Sequence, residues 1–314
     1  MNFAAVFPGQ GSQSVGMLKE LSEAHSAVSD TFSEAADVLS TDYWQLAQNG
    51  PAEKLADTRI TQPLMFISDI AIWRALQQAG MPAPTVVAGH SLGEFAALVA
   101  CGALPFADGL TLVKRRAEIM ATAVPEGEGG MAALIGMDDE EVIKVCADTT
   151  GARVSEAANF NAPGQVAISG HIDALEKTIE LAKERGARKA IMLAVSVPNH
   201  SSIMNDAGSQ LVTLIDAINW SEPAIPIVQN AQASAPADLN ALLKSLRSHV
   251  FSPVLWTQSV QALKSNYNVS SVLEVGPGKV LCGLGKRIDR ALPHQPTESP
   301  ETMQAALDAL AANA

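Results

Sequence analysis

Apolar runs of strand length alternate along the chain with longer stretches whose apolar residues recur at helical spacing. FAAVF, residues 3–7, reads as a buried strand. PAEKLADTRITQPLMFISDIAIWRALQQAG predicts a helix from about Thr61, ended by Gly80. PTVVAG follows as a second buried strand, and LGEFAALVACG as a helix that begins at once. Strands that each lead into a helix predict an α/β fold around a mostly parallel sheet.

The middle of the chain changes pattern. GGMAALIGM reads as a strand and DDEEVIKVCADTT as a helix with an acidic first turn. ARVSEAANFN and GQVAISG are two strands joined by a turn at Asn161–Gly164. HIDALEKTIELAKERG is a helix and KAIMLAVSV a strand. That is the β-α-β-β-α-β order of a ferredoxin-like unit. It predicts a small domain, residues 127–197, inserted in a large discontinuous one, residues 1–126 and 198–290. PEGEGG marks the entry and Pro198 the exit. Beyond it, SSIMNDAGSQLVTLIDAI, LNALLKSLRSHV, WTQSVQALKSN and KVLCGLGKRI read as helices, AIPIVQN and SSVLEVGPG as strands. Residues 291–314 read as a Pro-rich tail before a last Ala-rich helix.

Composition narrows the function classes. With 314 residues, 47% hydrophobic and 17% charged, the chain can bury a large core and is not disordered. A net charge of −12 and 4% aromatics argue against a nucleic-acid-binding surface. The three cysteines are far apart and no C-x-x-C occurs, which suits a reducing compartment and offers no zinc site. The N-terminus lacks a basic-then-apolar leader, and no run is long enough to cross a bilayer, so a cytoplasmic protein is expected.

Two glycine turns hold candidate chemistry. The first, Pro8-Gly9-Gln10-Gly11, follows the opening strand. It lacks the third glycine of a dinucleotide fingerprint, and no phosphate-loop motif occurs. It is either a bare turn or a source of backbone N–H groups for chemistry elsewhere. The second is Gly89-His90-Ser91-Leu92-Gly93, a G-x-S-x-G with a strand before it and a helix after it. Such a turn projects a serine hydroxyl, and the positive helix end favours developing negative charge. A glycine-flanked N-cap serine is the structural alternative.

Serine needs a base. Of six histidines, His90 is adjacent to Ser91 and leaves the turn in another direction. His25 lies in the first helix, His171 at a helix start, and His294 in the tail. His249 ends a helix. His200, in VSVPNH, lies where the chain leaves a strand and re-enters the large domain, a setting where catalytic groups gather. His200 is therefore the expected base. Ordinary α/β-hydrolases place the histidine late in the chain; here about a third of the chain follows it.

FPGQGSQ, GHSLGE, the arginine of VKRRAEIM, VSVPNH and EVGPGKVL occur in that order across nearly the whole chain. Together they closely resemble malonyl-CoA:acyl-carrier-protein transacylases of bacterial fatty acid synthesis, a pattern shared with acyltransferase domains of polyketide synthases. The resemblance implies a hydrolase-like large domain with a ferredoxin-like insertion. It implies that the backbone N–H groups of Gln10 and Leu92 form an oxyanion hole, and that Arg116 binds a substrate carboxylate. By residue pattern alone Arg116 is a solvated charge beside Lys114 and Arg115. The resemblance also implies that a main-chain carbonyl near His249 orients His200, and that Gln62 and Asn161 line the cleft. Capping and turn-forming remain open alternatives for that pair. His249 stands where relatives usually carry Gln, and Asn199 where they often carry Ser or Phe. The implied reaction is malonyl transfer from malonyl-CoA to the phosphopantetheine thiol of acyl carrier protein, with no metal or redox cofactor, by a monomer. Lys189, Lys279, Lys286 and Arg287 are candidates for docking the acidic carrier. A serine thioesterase or hydrolase, a loader of a polyketide synthase, and a non-catalytic acyl-binding module are the rival readings.

Overall fold

The computed structural model describes residues 2–312; residue 1 and the last two residues of the expected tail, 313–314, lie outside the described residues. Nine strands are present among the described residues. They are β1 (Phe3–Phe7), β2 (Val86–Gly89), β3 (Gly129–Ile135), β4 (Ser155–Ala162), β5 (Gln165–His171), β6 (Lys189–Met192), β7 (Ile227–Val228), β8 (Ser271–Glu274) and β9 (His294–Pro296). One sheet is parallel, in the order β7-β2-β1-β8-β9, and the other antiparallel, in the order β4-β5-β3-β6. The α/β architecture and the β-α-β-β-α-β run of 129–192 agree with the pattern reading.

The parallel strands are buried on both faces, which explains their continuous apolar runs. Phe3, Ala5 and Phe7 point into one core and Ala4 and Val6 into another, as strand alternation demands. The first core is closed mainly by the helix Thr58–Gln78 and its neighbours, the second by the helices Trp256–Tyr267 and Val280–Ile288. β1 lies between β2 and β8, and its register pairs Phe7 with Gly89. The turns after β1 and β2 therefore emerge side by side. A crevice at the carboxyl ends of strands, where the strand order reverses, is the usual place for a site in such sheets.

Several boundaries differ from expectation. The helix expected from Thr61 starts at Thr58, because the Asp57 carboxylate accepts the Arg59 N–H at 2.9 Å as its cap. The strand expected through Val197 stops at Met192. Asn161 lies within β4, so the turn contracts to Pro163–Gly164. His25 separates the helices Lys19–Ala24 and Ser26–Leu39 instead of lying in one. The Pro-rich stretch after Ala291 is part of the main sheet. β9 pairs in parallel with β8 from Val272↔His294 to Glu274↔Pro296, and the helix Pro300–Ala312 buries Met303, Ala306 and Leu310. Proline is tolerated there because β9 is an edge strand.

Candidate active site

β2 ends at Gly89, and the helix Gly93–Ala100 starts four residues later. Between them Ser91 adopts φ 50, a left-handed conformation uncommon for a residue with a side chain. The glycines make this turn possible. A Cβ on Gly89 would sit 2.0 Å from the Gly93 carbonyl group, and one on Gly93 2.0 Å from the Phe7 carbonyl oxygen. The turn after β1 packs equally closely, since a Cβ on Gly9 would lie 2.7 Å from the His90 carbonyl oxygen. Ser91 Oγ faces His200 and accepts no helix N–H among the described residues, so the capping alternative for Ser91 does not apply.

Ser91 Oγ lies 2.6 Å from His200 Nε2. On the other side of the ring, His200 Nδ1 is 3.1 Å from the His249 carbonyl oxygen and 2.9 Å from that of Ser252. Carbonyl oxygens only accept, so Nδ1 carries the proton and Nε2 offers its lone pair to the serine hydroxyl. His200 also has positive φ, 62. It is buried, and burial, helped by the charge of Arg116, lowers its pKa from the ordinary 6.5 to about 3. Neutral imidazole is thus its resting form. The His249 ring itself is buried edge-on to His200, with centroids 5.5 Å apart, and its carbonyl is the hydrogen-bond partner of the His200 ring. His90 turns away as expected: its Nε2 is 2.7 Å from Asn161 Oδ1 and its ring meets Trp256.

The amide N–H groups of Gln10 and Leu92 find no acceptor in the protein among the described residues. Arg116 is 1% exposed, on the inner face of the helix Phe106–Ala121 with Leu112, Val113 and Met120. Its neighbours differ, as expected: Lys114 and Arg115 reach outward to Glu118. The Arg116 guanidinium donates through Nη1 to Gln62 Oε1 at 2.5 Å and stacks over Phe95 at 5.3 Å. Nε and Nη2, one complete side of its donor fork, have no partner among the described residues. Burial lowers its pKa to about 9, against the pull of Glu94.

A cleft of about 230 Å³ opens over Ser91 and His200 between the two sheets. Gln10, His90, Asn159, Asn161 and Asn199 line it, with apolar walls from Met131 and Leu284 among others. Gln62 and Arg116 are not in its wall. Gln62 sits behind it, with Nε2 3.5 Å from Gln10 Oε1, and links the cleft to Arg116. Lys189, Lys279, Lys286 and Arg287 are all exposed, and Arg287 donates to the cleft residue Gln165 at 2.6 Å. Among the described residues no cluster of three or more His, Cys, Asp or Glu side chains could hold a metal, and no helix is long and apolar enough to cross a membrane.

With this geometry in place, comparison with known proteins assigns the family. Residues 5–293 match the acyl transferase domain. The chain belongs to the acyl transferase family. This acyl transferase is 44% identical over 305 residues to the malonyl CoA-acyl carrier protein transacylase of Salmonella typhimurium, covering 97% of this chain and 98% of that one. The protein of that name from Bacillus subtilis is 40% identical, with 98% and 96% covered. Among solved structures, the malonyl-CoA:acyl carrier protein transacylase of Xanthomonas oryzae superposes with a TM-score of 0.95 at 45% identity, covering 98% of this chain and 99% of the other. A malonyl-transacylase in complex with a type II PKS acyl-carrier protein gives 0.96 at 40% identity, with 98% and 100% covered.

The acyl transferase site contains three residues that the sequence reading passed over. Ser252 supplies the second carbonyl to His200. Asn230 and Glu94 form a buried polar pair beneath Ser91. Asn230 Oδ1 accepts the Ser91 N–H at 2.7 Å, and Glu94 accepts both the Asn230 N–H at 2.8 Å and its Nδ2 at 2.5 Å. Burial pushes the Glu94 carboxyl up to about 7, opposed by these donors and by Arg116. Asn230 and Ser252 lie in irregular segments with no periodic signal. Arg116 had one: residues 109, 112, 113, 116, 117 and 120 form one buried stripe.

Proposed function

We propose that this chain transfers the malonyl group of malonyl-CoA to the phosphopantetheine thiol of acyl carrier protein, through a malonyl-serine intermediate. The observation that carries the reading is the open Nε–Nη2 fork of a fully buried Arg116 near a Ser–His pair. An unpaired guanidinium in the interior calls for an anion, and a carboxylate matches the fork with two parallel charge-assisted hydrogen bonds. Malonyl carries such a carboxylate; acetyl does not.

The geometry supports the following steps. His200 Nε2 takes the Ser91 proton, and Oγ attacks the thioester carbonyl. The carbonyl oxygen becomes an oxyanion that accepts hydrogen bonds from the Gln10 and Leu92 amides, each worth roughly 3–4 kcal/mol in such holes. The imidazolium is steadied by the His249 and Ser252 carbonyls. The C–S bond breaks, and His200 returns the proton to the departing CoA thiolate. The phosphopantetheine thiol then gives its proton to His200, attacks the malonyl-serine, and Ser91 leaves with the proton. The transfer as written asks for no metal or redox cofactor. Gln62 acts as the resident partner of Arg116, and Asn161 holds His90 clear of the reacting atoms.

The basic group Lys189, Lys279, Lys286 and Arg287 near the cleft is the docking surface for an acidic carrier. The unit 127–197 forms one cleft wall as an insertion between residues 1–126 and 198–290, and the enzyme acts as a cytoplasmic monomer in fatty acid synthesis. The relative solved with a type II PKS carrier favours a second reading, in which the same chemistry loads a polyketide carrier.

Intact mass after brief mixing with malonyl-CoA tests the covalent step. One malonyl adduct is expected on the native enzyme and none on Ser91→Ala. Added carrier protein should then remove the adduct and gain it. CoA release without adduct or transfer would instead mean hydrolysis, and no release would overturn the reading.

A further inference from the structure

The parallel ladder between β2 and β7 ends early. Val87 pairs with Ile227 and Ala88 with Val228. Continued in register, Gly89 would face Gln229, and His90 would face Asn230. The backbone does not continue. Gln229 turns into a bridge with Ser234, and the Asn230 N–H goes to Glu94. The Asn230 side chain takes up the ladder instead. Its Nδ2 donates to the Gly89 carbonyl at 2.6 Å, and its Oδ1 accepts the Ser91 N–H at 2.7 Å. Those are the two groups that a residue opposite His90 would bind through its own N–H and C=O in a parallel sheet. The orientation of the carboxamide follows, since a carbonyl can only accept and an amide N–H can only donate.

Glu94 locks this carboxamide in place. Its Oε2 accepts from Asn230 N and Nδ2, and its Oε1 from Gln229 Nε2 at 3.2 Å. Glu94 is 1% exposed and Asn230 3%, so the hydrogen bonds are shielded from water. Glu94 stands in the first turn of the helix that follows the nucleophile. The pair thus clips the end of β2 to the start of that helix, across the residue with φ 50.

We infer that Asn230 and Glu94 are positioning residues that act as a side-chain continuation of the sheet and hold the strained Ser91 backbone in its reactive conformation. The inference rests on Ser91 being the nucleophile. It has a further consequence: the Ser91 N–H is committed to Asn230, so the oxyanion must look to Leu92 and Gln10. Neither positioning residue lines the cleft, so substrate affinity should be untouched while alignment of Oγ with Nε2 is lost.

Asn230→Asp is the decisive variant. It keeps the shape but replaces the donor facing Gly89 O and Glu94 with an acceptor. Rapid-quench intact mass would follow acylation of native enzyme, Asn230→Asp, Glu94→Gln and Ser91→Ala by malonyl-CoA and by acetyl-CoA, with the folded fraction read by circular dichroism. Per folded molecule, Asn230→Asp and Glu94→Gln should acylate about 100-fold more slowly, the loss typical of a ~1 Å misplacement. The loss should be equal for both acyl donors, with KM changed less than about twofold. Should Asn230→Asp not fold, Asn230→Ser and Glu94→Gln carry the same comparison. Folded variants that acylate at the native rate would overturn the inference, as would a loss confined to KM or to malonyl. An adduct that persists on Ser91→Ala would instead refute Ser91 as the nucleophile, a separate failure.

Discussion

The two residues proposed to react share a feature that their chain neighbours lack. Ser91 and His200 both hold positive φ, at 50 and 62, a conformation that costs of order 1–3 kcal/mol each and persists only where surroundings enforce it. His200 is also stripped of water, which disfavours its charged form. A base works when neutral, and a lowered pKa keeps it neutral to lower pH. The acid limb of kcat/KM is therefore expected well below the ordinary histidine value of 6.5. A limb at or above 6.5 would contradict the burial argument. Arg116 contributes to the lowering, so Arg116→Ala should move the limb upward when measured with acetyl-CoA. The same variant should lose malonyl transfer by about 100-fold or more, since two charge-assisted hydrogen bonds at roughly 1.5–3 kcal/mol each disappear. Equal loss for malonyl and acetyl would remove Arg116 from carboxylate recognition.

At the scale of elements, two turns and one helix start are packed backbone against backbone. Gly93 leaves no room for a Cβ beside the Phe7 and Pro8 carbonyl oxygens, at 2.0 and 2.7 Å. Those atoms are main chain and cannot rotate aside. Gly93→Ala is expected to lower stability by at least ~3 kcal/mol, the upper range of overpacking, read as a shift of the urea midpoint at unchanged slope. An unshifted midpoint would show that the turns are looser than described. The G-x-S-x-G motif was legible because it is local: strand, turn and helix are consecutive. The start of the helix Thr58–Gln78 was misread for an equally local reason. Asp57 caps it, but the charged stretch before the apolar run masked the cap.

For the whole molecule, the cleft exists because the antiparallel sheet faces the carboxyl ends of the parallel one. The C-terminal segment stabilises this frame from a distance. It covers the edge of β8 and buries Leu292, Met303 and Leu310. Burying such side chains contributes roughly 1.5–3 kcal/mol each. A chain stopped at residue 290 should lose on the order of 5 kcal/mol, seen as a large fall in the thermal midpoint or as insolubility. Native-like melting would show the segment to be dispensable. The docking surface proposed for Lys189, Lys279, Lys286 and Arg287 belongs to the same scale. Reversing Lys286 and Arg287 to Glu should raise KM for the carrier protein, and the defect should shrink as salt screens the charges. An unchanged KM would exclude this face as the docking surface.

What the sequence determined by itself was whatever depends on neighbours in the chain. Periodicity yielded the alternation of strands and helices, the β-α-β-β-α-β insert and the strand–Ser91–helix turn. Hydrogen bonds and side-chain spacing within an element repeat at fixed intervals, so these features can be read from a line of residues. His200 was reachable by elimination among the histidines, although the strand expected to lead to it stops at Met192. Tertiary structure alone decided the rest. It set Ser91 against His200 across 109 positions, and it put the His249 and Ser252 carbonyls behind the imidazole. It turned Arg116 inward with half its fork unpaired, and it brought Asn230 to the end of a ladder 139 positions from Ser91. Each of these is a contact between segments whose separation is fixed only when the cores close. No period within either segment encodes the other's position.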